Sequence, residues 1–427
     1  MLKLKFKLTA LLAALVCAGS ALAQDSGPLI DLLVRKGLIN DQEGEELRAD
    51  LARDASAAVT ATVSGGKSTT FVQFSGRMQL QYVGLSSDQA TATASQYVNQ
   101  FFLRRVYFGV TAGIGAKWQA VLNYDFSGSN FDKAYMEWNG YWGEAPIALD
   151  FGLRKVNFGY EETTSSGSLK AIERSPVTRF FVEPNNGRRL GAASYRMGIF
   201  LDGGSADVRK GKSTGLFYGA AITNPQRTET ILDAGIDGSK SSGSSAVNRP
   251  AYWANVGYSK VMAPDRKFVV GAAYGILPDV GGAGNTNFGK GFDIKEYSLY
   301  GDLTIGRFNL AGEYLHADVD GVLLAGTKKA GPSGYWIQPS YMATEKLELV
   351  GRYSEVDADG RGIRASDGIR SAPASKTGQM LKEYFLGVNY YFVNQDVKLQ
   401  LGYVSGETSD GATEKVTGVR SQLQINF

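Results

Sequence analysis

The chain has 427 residues, with 45 Lys and Arg against 42 Asp and Glu, 53 Gly, 22 Tyr, 21 Phe and one Cys. Its formal charge of +3 falls to zero once a leader with three lysines and no acid is removed, so bulk charge points to no nucleic-acid partner. The single cysteine, Cys17, lies in that leader, which excludes disulfide scaffolds and cysteine-ligated metals from the rest of the chain.

Residues 1–23 read as a secretory signal: Lys3, Lys5 and Lys7, an apolar run from Leu8 to Ala18, and Ala21-Leu22-Ala23 before Gln24. Lipid attachment at Cys17 would want a small residue where Val16 stands, so plain cleavage is expected. Residues 24–70 predict a short α-helical periplasmic segment and a linker. IDLLVRK (30–36) is closed by Gly37, Asn40 stands three before Glu43, and Leu47 and Leu51 share a face. A Gly/Ser/Thr-rich stretch, 55–70, follows. Beyond the leader no run of ~20 apolar residues exists to form a spanning helix.

From Phe71 the period is two. In FVQFSGRMQLQY, Val72, Phe74, Met78, Leu80 and Tyr82 alternate with Gln73, Ser75, Arg77, Gln79 and Gln81. The pattern recurs in AKWQAVLNYDF (116–126) and DVKLQLGYV (396–404) and yields sixteen candidate strands over 71–427. Alternate gaps are short (113–115, 143–146, 262–265, 306, 344–345, 394–395) and long (85–99, 156–188, 225–250, 278–290, 319–332, 358–380, 407–415). The gap 202–212 breaks the rule. A sandwich has no reason to alternate in this way, whereas a transmembrane barrel has short periplasmic turns and long outer loops. The chain ends in SQLQINF, an alternating strand that resembles the closing strand of bacterial outer-membrane barrels. The expected fold is all-β: a 16-stranded antiparallel transmembrane barrel in the bacterial outer membrane, preceded by the helical segment. Tyr82, Trp118, Trp142, Tyr258, Tyr314, Tyr384 and Tyr403 suit interfacial girdles, and the polar strand face is expected to line water.

In NQFFLRRVYFGV (99–110), outward Val106, Phe108 and Val110 place Arg105 and Tyr107 in the lumen, as Arg77 is on its own strand. Arg104 has the opposite parity. A lipid-facing arginine at mid-depth costs ~2–4 kcal/mol, so Arg104 sits at the membrane edge or a bulge turns it inward.

These segments resemble the phosphate-selective porin O and P family, over about Phe71 to Phe427. The matching stretches are FSGRMQ (74–79), FLRRVYFGV (102–110), WQAVLNYDFS (118–127), FDKAY (131–135) and TSSGSLKAIER (164–174) after FGYEE. The resemblance implies a trimeric porin whose third outer loop, 158–188, folds into the lumen and forms a constriction with wall arginines. Arg77, Arg104, Arg105 and Tyr107 then correspond to pore-lining, anion-binding wall residues. Glu161, Glu162, Lys170, Glu173 and Arg174 fall on the constriction loop. Gln119, Glu162 and Gly167 stand where phosphate-selective members carry lysines, which weakens the case for phosphate in particular. Loop acids opposite wall arginines predict a transverse field across the pore, although wall arginines simply paired with loop acids fit the residues too.

No zinc spacing, phosphate-cradling loop or paired catalytic carboxylates stands out, so no enzyme and no cofactor are expected. His316, in EYLHAD, has lipid-side parity, which argues against a serine–histidine hydrolase. Asp318-Val-Asp320-Gly321 and Asp357-Ala-Asp359-Gly360 echo calcium loops without the remaining ligands. They read as solvated turns, open only to adventitious calcium. The expected function is passive diffusion of small hydrophilic solutes with an anion preference, phosphate among the candidates. Alternatives are a general or sugar pore with Tyr107, Tyr135 and Tyr141 as a stacking track, or a structural tether acting through the helical segment. Expected partners are outer-membrane lipid and lipopolysaccharide, two further copies of the chain, the barrel assembly machinery and a periplasmic partner of the helices.

Overall fold

The computed structural model describes residues 36, 68–88, 96–183, 188–225, 250–280, 292–320, 329–373, 376–410 and 412–427. The expected leader, the helix pair apart from Lys36, and the linker up to residue 67 lie outside them, while Thr69 and Thr70, expected in the linker, open the first strand. The chain forms two units, Met1–Gln73 with Ala112–Ala116, and Phe74–Thr111 with Lys117–Phe427. In the first, the described backbone is two strand ends and a turn in which Gly115 N–H donates to the Ser68 carbonyl at 2.8 Å. The second is the barrel.

Its wall strands are β1 (Thr69–Ser87), β2 (Tyr97–Ile114), β3 (Trp118–Asp125), β4 (Asn130–Trp142), β5 (Ala145–Lys155) and β6 (Tyr195–Gly203). They continue with β7 (Gly215–Thr223), β8 (Ala251–Ala263), β9 (Arg266–Val280), β10 (Phe292–Ile305) and β11 (Phe308–Asp320). The last are β12 (Lys329–Ala330), β13 (Ser333–Met342), β14 (Leu347–Asp357), β15 (Met380–Val393), β16 (Val397–Asp410) and β17 (Ala412–Asn426). The two-residue β12 and β13 both pair with β11 and form one stave, which gives the sixteen expected. Neighbours in sequence are antiparallel neighbours in space, and β17 closes on β1 with Arg77 opposite Asn426 and Ser87 opposite Val416. Closure pairs the backbone groups that hydrocarbon would leave without partners.

Period two explains the outer face: Leu80, Leu122, Ile199, Leu299, Leu386, Leu401 and Leu423 are all exposed. The tight turns depend on left-handed backbone at Gly143 and Gly306, with φ of 61° and 57°. The anomalous gap after β6 holds a single helical turn, α3 (Ala206–Arg209), which Ser205 caps by accepting from Val208 N–H at 3.3 Å. Two turns precede it in the chain, α1 (Tyr160–Thr163) and α2 (Pro176–Val182), and one comes after it, α4 (Ala365–Gly368).

The interior departs from expectation. On β8 to β16 many inward residues are apolar and buried, among them Trp253, Leu277, Ile294, Leu315, Trp336 and Phe385. They form one core with Val177, Phe180 and Phe181 of the segment between β5 and β6. That segment enters the barrel with its own apolar side chains, so the wall it covers is packed as a protein interior and not wetted. Residues 189–194, expected in the sixth strand, belong to this inserted loop, and β6 starts at Tyr195.

Candidate pore constriction

The inserted loop runs from Val156 to Ser194. Where it enters, the Glu313 carboxylate of β11 accepts the backbone N–H groups of Tyr160 at 2.7 Å and Glu161 at 3.2 Å. Ser298 Oγ at 2.6 Å and Trp336 Nε1 at 3.1 Å complete its donors. Further on, Pro176 opens α2 behind the cap Ser175, whose Oγ accepts from Thr178 N–H at 3.2 Å.

Between these points the loop is held by its main chain. Gln79 donates to the Ser166 carbonyl at 3.2 Å and Gln424 to that of Gly167 at 3.0 Å. Lys398 at 2.9 Å and Gln400 at 3.2 Å donate to the Leu169 carbonyl, and Asn389 at 2.9 Å to that of Lys170. The amides also bond one another: Gln79 to Gln424 at 2.6 Å, Gln81 to Gln422 and Gln422 to Gln400 at 2.8 Å. Glutamines whose alternation suggests a water-facing wall thus form an amide rail for the loop. A glutamine side chain suits this because it donates and accepts at once.

Both arginines of NQFFLRRVYFGV point inward. Phe101 and Leu103 are exposed, while Phe102 packs on the interior core and Arg104 Nε meets Glu173 Oε1 at 2.7 Å. One residue later the parity reverses: Arg105 is buried and donates to Gln79 Oε1 at 2.7 Å, and Phe108 stacks on outward Phe74. Two successive inward residues are what a bulge produces. Arg77 faces inward as well, donating from Nε to Asn426 at 2.8 Å and from its terminal nitrogens to Ser166 at 2.7 Å and Ser165 at 3.1 Å. Its guanidinium carbon lies 5.9 Å from the Tyr107 ring centroid.

The loop acids do not face the wall arginines across a gap; they bond cations directly. Glu173 takes Arg104 in a two-pronged contact, Oε1 at 2.7 Å and Oε2 at 3.2 Å, and Arg370 at 3.1 Å. Glu161 meets Arg352 of β14 at 3.1 Å and accepts from Thr178 Oγ1 at 2.6 Å. Glu162 bridges Lys155 at 2.7 Å and Arg174 at 3.0 Å. Lys170 meets Glu348 at 2.8 Å. Burial opposes charge on Glu173, but the adjacent Arg104 and Arg370 prevail and hold it well below its ordinary range. Glu162 is lowered by Arg174 and Lys155 against the same burial. Glu183 is lowered to about 2 by Arg179, Arg370 and Arg189, again against burial. Conversely Arg174, though buried, is raised by Glu162 and Glu161.

Among the described residues, the inward guanidiniums of Arg77, Arg105 and Arg420, on the neighbouring strands β1, β2 and β17, have no carboxylate partner. Arg352, Arg370 and Arg420 were not singled out from sequence. Arg352 and Arg420 carry the same signal as Arg105, an arginine at inward parity among apolar neighbours, in LELVGRYSEV and VTGVRSQLQ. Arg370 lies in a loop and carries no such signal.

Of the aromatic track, Tyr107 and Tyr135 are partly buried, whereas Tyr141 is 73% exposed one residue from the end of β4. His316 lies with its ring centroid 5.2 Å from that of Tyr297 and its Nε2 3.5 Å from Asp318. At 357–360, Asp359 N–H donates to Asp357 Oδ1 at 2.9 Å, and Asp359 and Gly360 have φ of 40° and 80°. That is an Asx-type turn. Gly321 of the other acidic stretch lies outside the described residues.

The family model described as phosphate-selective porin O and P matches residues 72–427. The chain is similar in fold to solved porins at low identity. An anion-selective porin from Comamonas acidovorans aligns at TM-score 0.53 and 11% identity, over 83% of this chain and 99% of that one. The outer membrane channel DcaP of Acinetobacter baumannii aligns at 0.52 and 10%, over 85% and 99%. A trimer form of OmpT, an outer membrane protein of Vibrio cholerae, aligns at 0.50 and 13%, over 83% and 99%. No curated protein matches the chain.

Proposed function

The chain belongs to the phosphate-selective porin O and P family and is an outer-membrane porin, and from that premise we propose a passive pore for small hydrophilic solutes that prefers anions. The observation that carries the preference is the cluster of inward guanidiniums on three adjacent strands: Arg77, Arg105 and Arg420 lack carboxylate partners among the described residues. Within a narrow lumen such charge raises the local anion concentration. In this reading Arg104 contributes little field, because Glu173 neutralises it, and its role is to fix the loop. Lys170, Glu161, Glu162 and Arg174 likewise hold the loop and shape the aperture. Phosphate is one candidate among small anions. No catalytic step and no cofactor belong to the proposal. Three copies of the chain are proposed as the working assembly, with residues 1–23, 24–70 and 71–427 as leader, helical segment with linker, and pore.

The test is the reversal potential of planar-bilayer currents across a potassium chloride gradient. We expect the sign of an anion-preferring pore, moving toward zero in Arg77→Gln/Arg105→Gln. An unselective wild-type pore would favour the general or sugar-type reading. A selective pore that ignores both substitutions would remove these arginines from the explanation.

A further inference from the structure

The loop between β14 and β15 packs against the inserted loop. The residues between β14 and β15 look from sequence like one more polar surface connection, yet Ala358, Ile363, Ala365 and Ile369 are buried in the core that holds Val177 and Phe180 of the inserted loop. The contact is close enough that a Cβ built on Gly368 of α4 would lie 2.7 Å from Pro176 Cβ. Polar bonds tie the two loops along their length. Arg188 of the inserted loop meets Asp367 at 2.6 Å, and Arg361 donates to the Arg188 carbonyl at 3.2 Å. Asp367 also accepts the Arg364 N–H at 2.8 Å, which holds its carboxylate in place.

Arg370 is the junction. Its Nε donates to Glu173 at 3.1 Å and its Nη2 to Glu183, while its own carbonyl accepts from Arg420 of the wall. Glu173 and Glu183 lie ten positions apart on the inserted loop, flanking α2. A planar guanidinium has donors on separate edges and can hold two carboxylates at once, which an ammonium on a flexible stem does far less rigidly. Arg370 also gives Glu173 a second cation beside Arg104, while Glu183 shares Arg370 from the other side.

We propose that residues 358–373 of the loop between β14 and β15 form the second half of the constriction and that Arg370 is its positioning residue. It bridges both ends of α2 and sets, together with the inserted loop, the aperture and the charge seen by a passing anion. The proposal rests on the porin reading, and one arm of its test does not depend on conductance.

That arm uses the full chain carrying Gly368→Cys and Pro176→Cys, in a background with no other cysteine after the leader. The two Cβ positions need a shift of about 1 Å to reach disulfide spacing. Oxidation should cross-link the pair in folded, membrane-extracted protein, seen as a faster-running band after denaturation without reductant. Failure of folded protein to cross-link would overturn the pairing of the loops, whatever the pore conducts. The second arm compares single-channel currents. Arg370→Gln should raise open-channel noise and lower the anion-to-cation permeability ratio. Arg370→Lys should restore the ratio, because the charge returns, but not the quiet current, because the bridge does not. A merely structural role would move both readouts together in both variants, and unchanged currents in Arg370→Gln would overturn the assignment. If the double-cysteine protein cross-links while wild-type protein conducts nothing, the porin reading fails and the loop pairing stands.

Discussion

At the scale of single residues, Arg104 shows how a charge inside a barrel is made tolerable and how much depends on its partner. Its side chain is 15% exposed and its partner Glu173 8%. Arg104→Gln leaves Glu173 with Arg370 and Gln81, so the carboxylate is weakened and not stranded. We expect a loss of about 1.5–3 kcal/mol, the range for hydrogen bonds to charged groups, read as a lower midpoint of denaturant unfolding in detergent. No loss would mean that the loop does not depend on this pair. The inward placement of Arg105, Arg77 and Tyr107 was legible because parity alone decides it. Arg104 was not, since a bulge is a property of two strands in register and leaves no mark in one of them. Nor was the destination of Glu161 and Glu173: their spacing tells that acids are on the loop, but which cations they meet depends on Arg352, 191 positions beyond Glu161, and on Arg370, 197 positions beyond Glu173.

At the scale of elements, the seam between β17 and β1 is held by glycine. Gly418 has φ of 157°, and a Cβ there would lie 2.0 Å from the Gly84 carbonyl oxygen on β1, opposite Leu85. Gly418→Ala should therefore destabilise the barrel by about 1–3 kcal/mol, the usual cost of forcing atoms into filled space. The readout is the temperature at which the folded band disappears in an unheated-to-heated gel series. Gly301→Ala on β10 is the control, because the nearest atom to its Cβ would be 3.9 Å away. Equal behaviour of the two variants would show that the seam is not the constraint. Strand number, order and the short-long rhythm of connections were readable because each outer face must meet lipid. Strand ends were less so: β1 runs to Ser87 and β6 begins only at Tyr195, where loop packing and not periodicity sets the limit.

At the scale of the molecule, the inserted loop is an ionic plug whose acid sensitivity is set by its carboxyls. Glu183 is lowered from 4.5 to about 2, and Glu173 and Glu162 move the same way. A depressed carboxyl contributes its full stabilisation above its unfolded value, and the contribution is lost as pH falls through the folded one. The share of open-channel noise that Arg370 suppresses, read as the difference between wild type and Arg370→Gln, should stay constant from neutrality to about pH 4 and vanish only as pH approaches about 2. Loss of that difference already near pH 6 would sink that account. Most of this organisation is hidden from a reading of the chain because the interior is half lumen and half core, and both halves alternate with period two. The wall's amide rail has a consequence for how such a molecule can change over generations. Gln79, Gln400, Gln424 and Asn389 bond the carbonyls of Ser166, Gly167, Leu169 and Lys170, groups that every amino acid carries. The amide rail thus reads the path of the loop, while its spelling is read at a few points: Arg77 bonds the hydroxyls of Ser165 and Ser166, and Glu348 meets Lys170. Gly167 is another such point, where a Cβ would press on Arg77 at 2.6 Å. A lineage can rewrite most of that segment, and with it the chemistry presented to the solute, while the docking track that holds it stays as it was.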